Sequence, residues 1–259
     1  MLIQANAKIN LSFKILGKLP NGYHEIESIM QSIDLADFLH FEKSKRNQFC
    51  GAYVCPLSKN LIIKAQGFLE RKTKRKLPVK IHLQKQIPIS AGLGGGSADA
   101  AATLVALNKI YKLGLSRKKL SEIAIKIGAD VPFFLHGGTC KIQGIGEKIT
   151  PMKRKISHFY VAARPHKRID TKMMYELYDK TKKNFLELAE EICPSVGKLY
   201  SYFKRFKPQD LNLSGSGPSV FCGVRRYETA RKIAEGLKNF DGDIFICHPQ
   251  DEALKIIET

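Results

Sequence analysis

In PISAGLGGGSADAAATLVALNKIY, residues 88–111, the glycines Gly92, Gly94, Gly95 and Gly96 and the serines Ser90 and Ser97 stand directly ahead of an alanine-rich run of helical character. The leading N–H groups of a helix lack acceptors of their own and sit at the positive end of its dipole. A stretch stripped of side chains therefore lets an anion reach them. The chemistry this spacing suits is phosphate binding. It is not a P-loop, because Gly96 is followed by Ser97 and Ala98 rather than by lysine, and a dinucleotide fingerprint would need glycine where Ser97 stands. Each glycine costs roughly 0.5–1 kcal/mol relative to alanine in a regular element. A ligand held against the backbone accounts for four of them better than a turn capped by Ser97. In ANAKINLSFKIL, Lys8 and Asn10 are two residues apart. A strand would put them on one face, about 7 Å apart, so that both could line one pocket.

Several elements must position these residues. ANAKINLSFKIL alternates with period two, Ile9, Leu11, Phe13 and Ile15 opposing Lys8, Asn10, Ser12 and Lys14, which predicts a half-buried strand. LPNGYHEI reads as a turn, and further strands are expected at Ser28–Phe41 and Val79–Ile87. Leu61, Ala65, Phe68 and Leu69 recur at helical spacing; a second helix is expected after Ser116, a candidate N-cap, with Leu120, Ile123, Ala124 and Ile127 on one face and Gly128 at its end. The pattern restarts at HFYVAARP, which places a boundary near Pro151 and divides the chain into residues 1–150 and 151–259. Two helical segments within Thr171–Phe206 and a strand, helix and strand (SVFCGV, YETARKIAEGLKN, DIFICHP) complete an α/β chain of two domains with a cleft between them.

Composition narrows the function classes. The 259 residues are 44% hydrophobic and 26% charged, ordinary for a globular protein. The longest apolar runs, such as VPFFL, fall far short of the roughly 20 residues a bilayer span needs, and the N-terminus shows no signal-peptide succession. A cytoplasmic protein without membrane attachment is the expectation. Cysteines 50, 55, 140, 193, 222 and 247 form no C-x-x-C pair, which argues for reduced thiols rather than zinc. The net charge of +19 suits a nucleic acid, an anionic lipid or a phosphorylated small molecule. The basic clusters at Arg71–Lys76 and Lys153–Lys155 read as solvated surface.

The segment PISAGLGGGSADAA resembles the central motif of the GHMP small-molecule kinases, named for galactokinase and the homoserine, mevalonate and phosphomevalonate kinases. AKINLSFKI and LSGSGPSVF (Leu213–Phe221) resemble that family's other two motifs, so the likeness covers nearly the whole chain. AKINLSFKILGKLPNGYHEIESIMQSIDLAD and GADVPFFL are similar to a branch acting on a cytidine-diphosphate-linked polyol. The resemblance implies an α/β (α+β) fold of two domains, the second ferredoxin-like, with the active site between them, and ATP-dependent phosphorylation of the polyol's 2-hydroxyl. It implies Lys8 and Asp130 as the catalytic pair. Pro88, Ser90, Ala91, Gly92, Leu93, Gly94, Gly95, Gly96, Ser97 and Ala98 would form the phosphate loop, with Asn60 and Leu61 at the adenine. Asn10, Tyr23, His24, Thr171 and Tyr175 would meet the acceptor, and Gly215, Ser216 and Gly217 would fold against the phosphate loop. Magnesium is expected beside ATP, because phosphoryl transfer needs charge neutralisation. No acidic cluster marks its place, which leaves Ser97, solvent and the nucleotide as ligands. The chain is expected as a monomer or homodimer without a specific nucleic-acid partner, its positive charge serving a cleft that gathers ATP and a diphosphate substrate.

Taken without the motif, Asp130 reads as a helix N-cap ahead of Pro132, Lys8 as a solvated strand lysine and Tyr175 as a core aromatic. Ser90 stands where the family usually has glycine and Ala98 where it often has a second serine. A mevalonate- or homoserine-type kinase is the first alternative, and NGYHEI speaks against it because those substrates carry no base to stack. An RNA-binding protein is the second; the chain lacks the interleaved aromatic and basic residues of an RRM signature.

Overall fold

The longest elements form first in sequence. Strand β1 (Leu2–Lys18) runs antiparallel to β2 (His24–Lys43), with Lys18 opposite His24 at the hairpin end. Its period-two alternation sends Ile9 and Leu11 into a layer shared with Ile33, Ile87 and Leu93, while Phe13 and Ile15 pack against a separate core. The polar face is covered too: Lys8 and Asn10 are buried rather than half-solvated. Register slips at Asn6/Ala7, Asn10/Ser12 and Ile15/Gly17 are the bulges that let so long a ribbon bend.

The computed structural model describes residues 1–51, 56–153 and 158–258. Cys55, Arg154 and Lys155 lie outside them. After β3 (Gln48–Gly51) and a short 3₁₀ turn come α1 (Leu61–Thr73), β4 (Val79–Gln84), α2 (Gly95–Ile110), α3 (Arg117–Ile127), the single turn α4 (Val131–Phe134), β5 (Thr139–Gly144) and β6 (Lys148–Pro151). The remainder holds β7 (Phe159–Pro165), α5 (Thr171–Thr181), α6 (Phe185–Ile192), α7 (Pro194–Lys204), β8 (Asp210–Leu213), β9 (Val220–Val224), α8 (Tyr227–Glu235), β10 (Gly242–Cys247), β11 (Pro249–Gln250) and β12 (Leu254–Glu258). The length of β2 organises the first sheet, since Phe38–Lys43 pair with β4 and Ile26–Gln31 with β5. A second, antiparallel sheet has the order β10-β7-β9-β8. Among the described residues no helix is long and apolar enough to cross a membrane.

Helix α2 is apolar almost all round and buried accordingly, its alanines at 98, 100, 101, 102 and 106 letting the first sheet, α1, α3 and α4 approach closely. α3 starts on the Ser116 cap, which accepts from Lys119 N, and ends at Gly128. Two expectations need correction. Residues 171–206 hold three helices rather than two, because Asn184 and Glu187 build a capping box that starts α6, and Pro194 starts α7 directly after. The residues after 150 do not all stay with the second sheet: β11 pairs with β2 and β12 with β1, so the chain's end returns to the first.

One buried charge cluster ties the first sheet to α2. Lys85, just past β4, bonds to Asp37 of β2 and lies 2.9 Å from Asp99 of α2; Asp37 also accepts from the N–H groups of Gln86 and Ile87. Burial pushes the Asp99 carboxyl up to about 7, with Lys85 pulling it down and Asp37 pushing it further up. Unfolded, the same carboxyl titrates near ~3.9. A raised folded value stabilises fully below the unfolded pKa and is lost as pH rises through the folded one. Urea titrations from pH 4 to 8 should therefore show the wild type losing stability relative to Asp99→Asn as pH increases; parallel curves would contradict this assignment.

Candidate active site

A cleft of about 1050 Å³ opens between the first sheet with its phosphate loop on one side and α5 with the loop Gly215–Gly217 on the other. At its centre Lys8 reaches in from β1. Its ammonium donates to Asn10 Oδ1 at 2.6 Å and lies 3.5 Å from Asp130 Oδ2. Asn10 is held in turn, donating to Ser28 Oγ, which donates to the Ser12 carbonyl. Asp130 occupies the N-cap position of α4, yet its carboxylate caps nothing there. It is left facing Lys8, 33% exposed where Lys8 is 3%. An ionised carboxylate beside a buried ammonium and open to the cleft can take a proton from a hydroxyl; the ammonium can hold the oxygen left behind.

The phosphate loop ends at Gly94, whose left-handed φ of 74° makes it the N-cap of α2 with no side chain in the way. The glycines differ in what they make room for. A Cβ on Gly92 would lie 2.1 Å from the Ser214 carbonyl oxygen, so this glycine lets the third motif close against the loop; Ser214 Oγ also donates to Gly92 O. A Cβ on Gly94 would strike the Phe134 ring at 2.7 Å, and one on Gly95 would come 2.8 Å from the Lys85 ammonium. At Gly96 the nearest atom would be Leu61 Cδ1, at 3.6 Å. Packing does not require Gly96, which leaves space for a ligand as its reason. Ser90 adopts a φ of 54°, the conformation that favours glycine, so its departure from the family pattern is a strained one.

Of the residues expected at the site, Lys8, Asn10, Tyr23, His24, Asn60, Leu61, Pro88, Ser90, Ala91, Gly92, Gly94, Gly95, Gly96, Ser97, Asp130, Thr171, Tyr175, Gly215, Ser216 and Gly217 all line the cleft. Leu93 and Ala98 do not: as apolar side chains they turn into the cores behind the loop. Asn60 Oδ1 is occupied as the N-cap acceptor for Ile62 N of α1. Thr171 bonds to Ser216 at 2.8 Å and so links α5 to the third motif. His24 stacks on Tyr175, 4.7 Å between centroids at 26°, while Tyr23 is 60% exposed at the rim. Burial, with Asp130 adding to it, pushes the Tyr175 hydroxyl well above its ordinary range, so it remains a donor.

Other lining residues escaped the sequence reading, Lys85, Asp99 and Asp179 among them. Asp179 was detectable, because Thr171, Tyr175 and Asp179 recur every four residues along one face of α5. Lys85 and Asp99 gave no such signal, their pairing depending on a tertiary contact. The cleft also corrects the expectation about charge. Lys8, Lys18, Lys59, Lys85, Arg168 and Lys172 share it with Asp99, Asp130, Asp170, Glu176 and Asp179, so the surplus of +19 resides mostly elsewhere.

Comparison with known proteins gives these features a context. The profile of the GHMP kinases N terminal domain matches residues 60–138, from the α1 cap through the phosphate loop and past Asp130. The chain is 39% identical to a 4-diphosphocytidyl-2-C-methyl-D-erythritol kinase of Thermoanaerobacter pseudethanolicus, over 99% of this chain and 98% of the relative. It is 37% identical to the protein of the same name from Bacillus cytotoxicus, over 95% of each. Among solved structures, a 4-(cytidine 5'-diphospho)-2C-methyl-D-erythritol kinase superimposes with a TM-score of 0.79 at 26% identity, covering 95% of this chain and 98% of that one. A homoserine kinase from Cytophaga hutchinsonii shares the fold, with a TM-score of 0.78 at 17% identity over 99% and 97% of the two chains.

The glycine geometry separates two variants. Gly92→Ala should melt well below the wild type, since its Cβ meets backbone. Gly96→Ala should melt at or above it, gaining up to about 1 kcal/mol of helix propensity, while its methyl crowds the phosphates and raises KM for ATP. Thermal melts with nucleotide kinetics check the pair, and a Gly96→Ala protein with unaltered KM would contradict the ligand explanation.

Proposed function

The chain belongs to the family of 4-diphosphocytidyl-2-C-methyl-D-erythritol kinases, and on that premise we propose that it transfers the γ-phosphoryl group of ATP to the 2-hydroxyl of 4-diphosphocytidyl-2-C-methyl-D-erythritol. The products are the 2-phosphate and ADP, and the step serves the non-mevalonate route to isoprenoid precursors. The observation that carries this reading is the Lys8–Asp130 pair, which shares one cleft with the helix start at Gly94–Ser97 and with the aromatic pair His24–Tyr175.

The division of labour follows from the chemistry. Phosphoryl transfer asks little covalent chemistry of a protein and depends on alignment and on stabilising charge. Here the amides that open α2 hold the nucleotide phosphates, aided by the α2 dipole, and Asn60 and Leu61 border the adenine. The side chains of Tyr23, His24 and Tyr175 supply between them a flat surface for a cytosine and hydrogen bonds to its edge, and mevalonate and homoserine carry no such base. Asp130 accepts the proton of the attacking hydroxyl. The Lys8 ammonium stabilises the oxygen as it becomes nucleophilic, and Asn10 fixes the lysine.

Among the described residues no group of three or more His, Cys, Asp or Glu is built to hold a metal. That suits Mg²⁺, which keeps several waters and binds chiefly through substrate phosphates; Ser97 is the protein ligand the loop offers, and the ion would supply charge neutralisation. The protein acts in the cytoplasm, as a monomer or homodimer, with ATP as donor.

ADP release measured with ATP, magnesium and each of three acceptors tests the proposal. Turnover should be confined to the cytidine compound, and faster turnover of mevalonate or homoserine would overturn the substrate assignment. In Asp130→Asn, kcat should fall by about two to four orders of magnitude with the fold retained, the melting temperature falling only modestly because the carboxylate caps no helix and its charge is one of two partners of the Lys8 ammonium.

A further inference from the structure

Asp179 lies on α5, far in sequence from every motif, and receives two side chains from the β1–β2 hairpin. Lys18 and His24, directly opposite each other where β1 and β2 meet, both reach it: Lys18 Nζ at 2.5 Å from Oδ2 and His24 Nε2 at 2.7 Å from Oδ1. Four residues earlier on the same helix face, Tyr175 stacks on the His24 ring, and Tyr178 meets that ring edge-on at 6.0 Å. Phe185 braces both tyrosines, 5.0 Å from one and 6.3 Å from the other, and Phe13 of β1 stacks on Phe185 at 5.3 Å. The imidazole is thus fixed on one ring face by an aromatic cluster and at one ring nitrogen by a carboxylate.

That carboxylate is an acceptor only. The hydrogen bond from Lys18, then that from His24, hold it down at about 2. Nε2 of His24 must therefore carry the proton it donates. In a neutral imidazole with Nε2–H, Nδ1 is an acceptor, and it is the ring's remaining polar atom. His24 lines the cleft.

We infer that Asp179 is a positioning residue for base recognition: by taking the Nε2–H of His24 it makes Nδ1 an acceptor for the exocyclic amino group of cytosine. Uracil carries a carbonyl at that position, so its acceptor would face another acceptor and the site would reject it. The inference rests on the base-recognition reading of the preceding subsection and adds the residue that sets its specificity. Lys18 keeps the carboxylate from drawing His24 alone, and the spacing Thr171, Tyr175, Asp179 places the third-motif contact, the ring surface and the anchor on one helix face.

The test uses the full-length protein at pH 8, with steady-state kinetics on the cytidine compound and its uridine counterpart for the wild type, Asp179→Leu and Asp179→Ala, neither of which leaves an acceptor for Nε2–H. Melting curves and ¹⁵N-histidine NMR accompany each variant. The wild type should prefer the cytidine compound, and either variant should lose roughly tenfold of that preference through KM for the cytidine compound, with kcat within about threefold. The His24 signals should move from the Nε2–H pattern to a tautomer mixture. Should the alanine variant melt too low, the leucine variant, of similar volume and without an acceptor, carries the test. Variants that keep the cytidine-to-uridine ratio, or that lose kcat equally on both substrates, would overturn the inference and leave the kinase assignment standing. A wild type indifferent to the base would overturn the base-recognition reading and this inference with it.

Discussion

A buried ammonium organises the molecule. Lys8 is almost wholly removed from water, a state that costs a charged group several kcal/mol unless partners replace its hydration. Asn10 and Asp130 replace part of it. Both glycine motifs close round the same side chain: a Cβ on Gly94 would lie 3.0 Å from Lys8 Cγ and one on Gly215 3.3 Å from its Nζ. The backbone N–H of Lys8 also donates to Leu93 O, which stitches strand β1 to the phosphate loop. Three segments far apart in sequence therefore meet at one charge, and that meeting point is the floor of the cleft.

The bulges in the β1–β2 ribbon and the tight packing of α2 follow from the same demand. Helix α2 has to deliver its N-terminus beside Lys8, and its alanine surface allows neighbouring helices and the sheet to approach closely enough to hold it there. Lys85, clamped between Asp37 and Asp99, fixes the helix at the loop end. Gly95 is small because that clamp passes beside it. The glycine run thus serves four ends at once: closure on the third motif, room for Phe134 and Lys8, room for the clamp, and at Gly96 an approach for a ligand.

Much of this was legible in the sequence where the signal was local. The alternation in residues 9–15, the Ser116 cap and the glycine run before an apolar helix each reflect a rule operating within a few residues, and each element formed as read. The motif resemblance brought Lys8, Asp130, His24 and Tyr175 to the same cleft, which no spacing rule joins. Burial of the polar face of β1, the Asp37–Lys85–Asp99 clamp and the return of β11 and β12 to the first sheet were hidden because they depend on which surfaces meet after folding. The α6 capping box is a local signal in Asn184 and Glu187, and it divides what apolar spacing alone presents as a single helix. Leu93 and Ala98 fell inside a functional motif yet serve packing, since a loop needs an inner side as well as an outer one.

The central claim is that the Lys8 ammonium serves the chemical step and not merely the fold. Lys8→Met keeps the length and apolar stem of the side chain and leaves Asp130 solvated at the cleft. The measurement is ADP release with the cytidine compound, set beside calorimetric ATP binding and a thermal melt of the same protein. Turnover reduced by about two orders of magnitude or more, with ATP binding and folding retained, is the predicted result. Near wild-type turnover would contradict the account.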